Sequence, residues 1–397
     1  MSAEGPLLYI IAGEPSGDAL GGRLMAALKE RSGSLRFAGI GGERMAEQGL
    51  RSLVPLHELA VMGVAEVLPR ARAILRRVRE TVADIRRLRP AAVVTIDSSG
   101  FTWRVAQRLR ESGETDLPLI HYVAPMVWAW RAGRARRMAR WYDHLMVLLP
   151  FEPAYFAKVG LACTYVGHPV IESGAERGDG QGFRRRHGIP PEAPVLAVLP
   201  GSRRGEVRRL LPPFGSAVAL LAKRHPGLRL VVPVTETVAE IVAAEVARWA
   251  APAVVVRGER EKYDALAASQ AAMAASGTVA LELALAGVPA LVAYRLNPLT
   301  HRLLRRIVKV DYINLLNLIL RREVVPELIQ QDCTPERLAA TVDTLLGDET
   351  RRRTQIAACR EALKQLGLGE LSPSRRAAEV VLAIIAARRP GAGLTAA

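Results

Sequence analysis

Residues 7–18 read Leu7-Leu-Tyr-Ile-Ile-Ala-Gly-Glu-Pro-Ser-Gly-Asp18 and run on into an amphipathic segment ending at Lys29. Six apolar residues without a polar break, a small-residue turn and a helical period spell strand, loop and helix. A strand that alternates polar and apolar residues has one wet face. One that is apolar throughout must be covered on both faces, which is the condition of a parallel sheet. The same grammar recurs at Arg36–Ile40, Ala91–Asp97, Leu117–Val123 and His144–Leu149, with helical patterns between. The reading is a doubly wound α/β domain.

A second series follows at Val195–Leu199, Arg229–Val234, Ala253–Val256, Ala271–Ala275 and Ala290–Tyr294. Between the two, residues 171–194 are polar and carry Gly174, Gly178, Gly180, Gly182, Gly188, Pro190 and Pro191, which reads as an interdomain linker. Helices dominate from Pro335 to Arg388. The expected organisation is therefore a Rossmann-like domain over 1–170, a linker over 171–194, a second Rossmann-like domain over 195–370, and a terminal helix with a disordered tail over 371–397. Two such domains, facing each other, would form a cleft at the carboxyl ends of their strands, where ligands of open α/β sheets bind.

Composition narrows the partners. Of 397 residues half are apolar and 24% charged, a globular balance. Lys+Arg minus Asp+Glu is 55 − 39, a net charge of +16, and only six of the 55 are lysines. Such a surface attracts nucleic acid, an anionic membrane or phosphorylated small molecules. A nucleic-acid-binding protein would want aromatic residues interleaved with the positive charge, and aromatics are 5% here. Cys163, Cys333 and Cys359 have no zinc or redox spacing, so a reducing cytosol is expected. No signal peptide is read at the start, and no apolar run approaches the ~20 residues of a spanning helix. The expectation is a cytoplasmic protein, soluble or peripheral.

The chemistry should lie just after the strands. Val195–Leu199 runs into Pro200-Gly-Ser202-Arg203 and a helix, a turn that offers backbone N–H groups, a hydroxyl and a planar cation to phosphate. Ala271–Ala275 runs into Ser276-Gly277-Thr278 and a helix carrying Glu282, whose carboxylate could accept both hydroxyls of a ribose. Alone, Glu282 would be a dipole-stabilising residue; with the Pro-Gly-Ser-Arg turn, a nucleotide diphosphate site is the better reading. The first loop is not GxGxxG, and Glu14 repels phosphate, which weakens a dinucleotide reading. Asp97 ends its strand and is either a functional carboxylate or a helix cap. His121 and His168 read as satisfied structural histidines. No Asp-x-Asp occurs, so neither a metal site nor a cofactor is expected.

One further stretch stands out. Val61-Met-Gly-Val64, Val67 and Leu68 lead into Arg70, Arg72, Arg76, Arg77 and Arg79, an apolar patch beside arginines of the kind that anchors on anionic lipid, or else a core helix with a solvated basic face. Trp128 and Trp130 could line an acyl groove or belong to the core.

Taken together, these motifs resemble lipid-A-disaccharide synthase, a family of inverting nucleotide-sugar glycosyltransferases with the two-Rossmann GT-B architecture. The resemblance rests on Ala12-Gly-Glu-Pro-Ser-Gly-Asp18, Glu58-Leu-Ala-Val-Met-Gly63, Ile96-Asp97, His121-Tyr-Val-Ala-Pro-Met-Val-Trp-Ala-Trp-Arg131, Leu199-Pro-Gly-Ser-Arg203, Ala275-Ser-Gly-Thr278 through Glu282, and Asp311-Tyr-Ile-Asn-Leu-Leu-Asn-Leu318. It implies a reaction joining UDP-2,3-diacylglucosamine to 2,3-diacylglucosamine 1-phosphate, giving a β(1→6) disaccharide phosphate and UDP. It implies Asp97 as general base and Glu14, Ser16 and Asp18 as the loop of the first, acceptor-side and membrane-facing domain. Ser202, Arg203, Ser276, Gly277, Thr278, Glu282 and Asn317 are implied on the UDP side. Peripheral attachment to the inner face of the bacterial inner membrane, and a homodimer, are implied as well. The family usually has a second Asp three residues after the first; here that position is Gly100. The runner-up is another UDP-sugar GT-B enzyme, such as one acting on the lipid-linked precursor of peptidoglycan.

Overall fold

The computed structural model describes residues 5–59, 64–128, 133–297, 302 and 310–388. The chain divides into two compact units, Met1–Pro169 with Glu370–Ala397, and Val170–Gly369. In the first unit six strands, β1 (Leu7–Ala12), β2 (Arg36–Ile40), β3 (Ala92–Ile96), β4 (Leu119–Tyr122), β5 (His144–Val147) and β6 (Ala162–Tyr165), pair in the order β2-β1-β3-β4-β5-β6. Every pairing is parallel. Side chains of β1 alternate between two buried layers. Tyr9 and Ile11 join Val93 and Leu145 on one face, while Leu8, Ile10 and Ala12 join Ala92, Val94 and Ile96 on the other. That double burial is why the strands read as unbroken apolar runs.

The second unit repeats the plan. Strands β7 (Val195–Leu199), β8 (Arg229–Val234), β9 (Ala253–Arg257), β10 (Ala271–Ala275), β11 (Ala290–Tyr294) and β12 (Glu327–Ile329) pair in the order β12-β11-β10-β7-β8-β9, again all parallel. The two edge strands, β6 and β12, are additions to the sequence reading. Both are short and only partly buried, so neither carries a continuous apolar run.

Each sheet starts near its middle and winds outward in both directions. The direction reverses between β1 and β3 in the first unit and between β7 and β10 in the second. At such a reversal the loops leaving neighbouring strands turn to opposite faces and leave a crevice between them. The sequence stretches after β1, β3, β7 and β10 are the ones singled out above.

The expected linker is not a linker. Residues 171–194 belong to the second unit, and their helix Gly180–Arg186 packs on the helix Glu259–Ala267. Phe183 is fully buried, and Arg184 donates to the carbonyls of Pro190, Ala193 and Ala268 at 2.9–3.1 Å. The glycines that suggested looseness serve close packing: a Cβ on Gly178 would lie 2.2 Å from the Tyr263 carbonyl oxygen, and one on Gly180 would lie 2.4 Å from that of Ala267.

The terminal helix is also placed differently. Pro373–Arg388 returns to the first unit and packs along the helix Pro15–Arg31. Ala377, Ala378, Val381 and Ile385 enter the layer containing Leu24, Met25 and Leu28, and Glu379 and Arg375 pair with Arg31 and Glu30 at 2.5 and 3.0 Å. Ile385→Ala should therefore lower the unfolding free energy of the first unit by about 2–5 kcal/mol. Hydrogen exchange should show lost protection in β1 and the helix Pro15–Arg31 while β7 stays protected. Equal loss in both units would show that this helix does not belong to the first core.

Candidate active site

In the second unit the loops after β7 and β10 border a cavity of about 500 Å³. Gly201 has φ +110, and a Cβ there would lie 2.2 Å from a Glu206 carboxylate oxygen, so the turn requires glycine. Ser202 donates its N–H to that carboxylate at 3.3 Å and lines the cavity. Burial raises the Glu206 pKa against the hydrogen bonds from the Ser202 and Arg203 backbone and the Arg203 charge. Arg203 occupies the N-cap position of the helix Arg204–Arg224 with extended backbone, is exposed, and stands outside the cavity lining.

Ser276, Gly277 and Thr278 border the same cavity from β10, and Glu282 lies half-buried one turn further on. Its carboxylate is engaged: Lys262 Nζ donates to both oxygens at 2.9 and 3.0 Å, and the Tyr263 hydroxyl donates to one at 3.4 Å. Lys262 also sits 4.6 Å from the Tyr263 ring centroid. Glu282 is thus held by the neighbouring helix and is more than a partner of its own helix dipole.

Asn317 requires a correction. It is fully buried and its amide is saturated within the protein, donating to the Val325 carbonyl and Glu327 at 2.8 Å each and accepting from the N–H groups of Val324 and Val325 at 2.8 and 2.9 Å. With two donors and two lone pairs used, nothing is left for a nucleotide. It staples the helix Leu315–Leu320 to the approach of β12.

In the first unit Asp97 and Glu14 line a cavity of about 180 Å³ at the β1/β3 reversal. Asp97 and Ser98 both have φ +46, a left-handed conformation costing about 1–2 kcal/mol in a residue with a Cβ. The helix-cap alternative fails, because the helix Thr102–Glu111 has Phe101 at its N-cap and no side chain capping it. The turn is held instead by the Thr102 hydroxyl, which donates to the carbonyls of Asp97 and Ser98 at 2.7 and 3.0 Å. Burial raises the Asp97 pKa, opposed by one hydrogen bond from the Ser98 backbone. Ser16 is exposed on the first turn of its helix and does not line this cavity. Asp18 is structural: its carboxylate accepts from the N–H groups of Gly42, Arg44 and Met45 at 2.7, 3.0 and 3.1 Å and so anchors the start of the helix Glu43–Glu47.

Both histidines are structural. His121 is buried with Nδ1 at 2.7 Å from the Thr95 hydroxyl, and burial lowers its pKa to about 3. Burial lowers His168 to about 4. Trp128 is half-buried, donates to Glu152 at 3.2 Å and meets Phe151 edge-on. Burial pushes Glu152 up to about 7 although Leu149, Trp128 and Leu148 all donate to it. Trp130 and Val61–Gly63 lie outside the described residues, as do the side chains of Val64, Val67, Leu68 and Arg70.

Sequence reasoning passed over Lys262, Glu206 and Glu152. Only Lys262 left a trace: a chain that places arginine at nearly every cationic position keeps one of its six lysines beside the cavity after β7 and β10. The other two are ordinary carboxylates until burial is known.

Two parallel sheets, each with a loop-lined crevice at its reversal, define a fold of the GT-B class. Solved structures share this fold. *Acinetobacter baumannii* MurG matches with a TM-score of 0.56 at 14% identity, over 94% of this chain and 98% of that one. A *Neisseria meningitidis* UDP-GlcNAc 2-epimerase bound to UDP-GlcNAc matches with a TM-score of 0.63 at 10% identity, over 95% and 98%. A family model described as Lipid-A-disaccharide synthetase matches residues 8–381. Lipid-A-disaccharide synthases of *Rhodospirillum centenum* and *Gluconobacter oxydans* are 58% and 45% identical, over 96% of this chain and 95% and 91% of theirs. The chain belongs to the lipid-A-disaccharide synthase family and is a hexosyltransferase of lipid A disaccharide synthesis.

The Asp97 environment has a measurable consequence. A carboxyl whose pKa is raised on folding adds stability below its unfolded pKa, and that contribution is lost as pH rises through the folded value. At neutral pH the ionised group therefore strains the fold. Asp97→Asn should melt at the same temperature as the parent or higher, while turnover falls about 10²–10⁴-fold, the usual worth of a positioned base. The parent's acid limb of kcat/KM should lie above the ordinary aspartate range and be absent from the variant. A lower melting temperature with near-normal turnover would make Asp97 a structural residue.

Proposed function

We propose that Asp97 is the general base for attack by the 6-hydroxyl of 2,3-diacylglucosamine 1-phosphate on the anomeric carbon of UDP-2,3-diacylglucosamine. The carrying observation is a half-buried carboxylate of raised pKa, held in a left-handed turn at a sheet reversal and capping no helix. As the new C–O bond forms, the hydroxyl proton passes to Asp97, the bond between the anomeric carbon and the β-phosphate oxygen breaks, and UDP leaves with that oxygen from the opposite face, with inversion. Glu14, on the same cavity, orients the acceptor by accepting a hydroxyl hydrogen bond, and Ser16 at the mouth of that loop offers a second polar contact.

The donor's uridine diphosphate belongs to the second unit. Ser202, Ser276, Gly277 and Thr278 offer hydroxyl and backbone donors, and Arg203 supplies charge for the leaving diphosphate. Glu282 accepts from the ribose hydroxyls, with Lys262 fixing its carboxylate. The test is UDP release and product mass from the two acylated substrates. Glu282→Gln should raise the donor KM about tenfold, the worth of one charged hydrogen bond, with the acceptor KM unchanged. Activity independent of the acyl chains would point to another UDP-sugar transferase.

The acylated substrates suggest that the reaction takes place on the cytoplasmic face of the inner membrane. Among the described residues no helix is long and apolar enough to cross a membrane. On the helix Val64–Leu88, Val78, Val82 and Ile85 are buried, whereas Arg72, Leu75, Arg76 and Arg79 are exposed. Arg77 is committed elsewhere, to Glu58 and Glu80 at 2.6 Å each. Arg76 stands 3.7 Å from Glu80, so we assign lipid docking to Arg72 and Arg79 around Leu75. Each arginine near anionic lipid is worth on the order of 1 kcal/mol, screened by salt. Vesicle flotation should need anionic lipid, weaken in high salt, and weaken further in Leu75→Ser. Flotation indifferent to all three would leave this helix an ordinary packed one.

A further inference from the structure

Asp97 directly follows β3, and both of its backbone groups are tied. Its N–H donates to the Tyr122 carbonyl on β4 at 2.9 Å, and its carbonyl accepts from the Thr102 hydroxyl at 2.7 Å. Asp97 and Ser98 both stand at φ +46, where a residue with a Cβ stays only if its surroundings hold it there. Whatever holds this turn therefore decides where the Asp97 carboxylate points.

Thr102 holds it from the inside. The residue is fully buried, and its hydroxyl also reaches the Ser98 carbonyl at 3.0 Å. A helical threonine commonly returns its hydroxyl to a carbonyl of its own helix. Here both acceptors lie in the turn ahead of the helix Thr102–Glu111. Thr102 is itself anchored: the buried Tyr142 hydroxyl donates to its carbonyl at 3.3 Å and accepts from Thr95 at 3.1 Å. Thr95 belongs to β3, two residues before Asp97, so these bonds close a ring around the end of the strand.

Gly13 holds the turn from the side of β1. The register pairs Ala12 with Ile96, which sets Gly13 beside the start of the turn. A Cβ at residue 13 would lie 2.3 Å from Ser98 Oγ and 2.6 Å from Ser98 Cβ, closer than non-bonded atoms approach. The Gly13 backbone is not left-handed, so its contact with Ser98 is what demands glycine.

We propose that Thr102 and Gly13 are the positioning residues of the base: one hydroxyl and one missing side chain together set the left-handed turn that presents the Asp97 carboxylate to the acceptor hydroxyl. The inference rests on the reading of Asp97 as general base and deepens it. Both residues act through Asp97. A carboxylate displaced by about 1 Å still leaves room for both substrates but meets the hydroxyl proton badly, a loss on the order of a hundredfold in rate.

The test uses the full chain and both acylated substrates. Thr102→Val keeps the shape and removes the hydroxyl. It should lower kcat about ten- to a hundredfold, with both KM values and UDP binding within about twofold of the parent. Thr102→Ser, which keeps the hydroxyl, should recover kcat to within about threefold. In an Asp97→Asn background Thr102→Val should cost less than about twofold more, because the two changes remove the same contribution. Gly13→Ala should lower kcat in the same way. Ser98→Gly removes the side chain that the new methyl meets and suits φ +46, so it should restore most of that loss. If Thr102→Val melts below the assay temperature, the Gly13 and Ser98 pair decides alone. Parent-like kcat in Thr102→Val and Gly13→Ala, beside an inactive Asp97→Asn, would overturn the positioning and leave the base standing. So would a Thr102→Val loss that Thr102→Ser repeats, or one undiminished in the Asp97→Asn background. A Gly13→Ala loss that Ser98→Gly leaves unrelieved would remove Gly13 from the assignment. Near-normal turnover in Asp97→Asn alone would instead overturn the base reading.

Discussion

Everything in this molecule depends on the pairing of β1 with β3 and of β7 with β10. Each pair joins strands whose crossovers leave toward opposite faces of a sheet buried on both sides. The loops between them cannot cover one another, and their backbone and side chains stay available. Asp97 and Glu14 flank one such pair; Ser202, Ser276 and Thr278 flank the other. The proposed division of labour between base and diphosphate cradle would follow from one topological device used twice.

Burial then gives ordinary residues their chemistry. Asp97, Glu152 and Glu206 are all pushed toward the neutral form by desolvation, yet their surroundings differ. Glu152 receives three hydrogen bonds and holds Trp128; Glu206 rests on the amides of the β7 turn. Asp97 has a single opposing hydrogen bond, from the Ser98 backbone, and lies in a left-handed turn. Buried histidines show the reverse case: His121, kept neutral by desolvation, supports the sheet rather than the reaction.

The arginine excess also separates into roles. Arg184 spends its donors on backbone carbonyls and closes residues 171–194 onto the second unit. Arg77, Arg110 and Arg186 are absorbed by carboxylates. A net charge of +16 is therefore not one diffuse field. Arg104 and Arg137, which have no carboxylate partner among the described residues, border a cavity next to Asp97.

The sequence by itself determined the two parallel sheets, because a strand covered on both faces must be apolar at every position. It also determined where the loops of interest fall, since glycine, serine and acidic residues directly after such strands have few other uses. Short edge strands such as β12, with one buried residue of three, leave no such mark. Only the tertiary structure decided what those glycines and polar groups do. Gly178 and Gly180 look like a linker until Tyr263 and Ala267 are seen against them. Asn317 looks like a nucleotide ligand until its four hydrogen bonds are traced, and Asp18 looks like part of the cleft loop until it is seen to anchor a helix start 24 residues away. Lys262 meets Glu282 across 20 residues of sequence. A residue's type states which bonds it can make; which partner takes them is set by neighbours distant in the chain, and one-dimensional spacing carries no record of that.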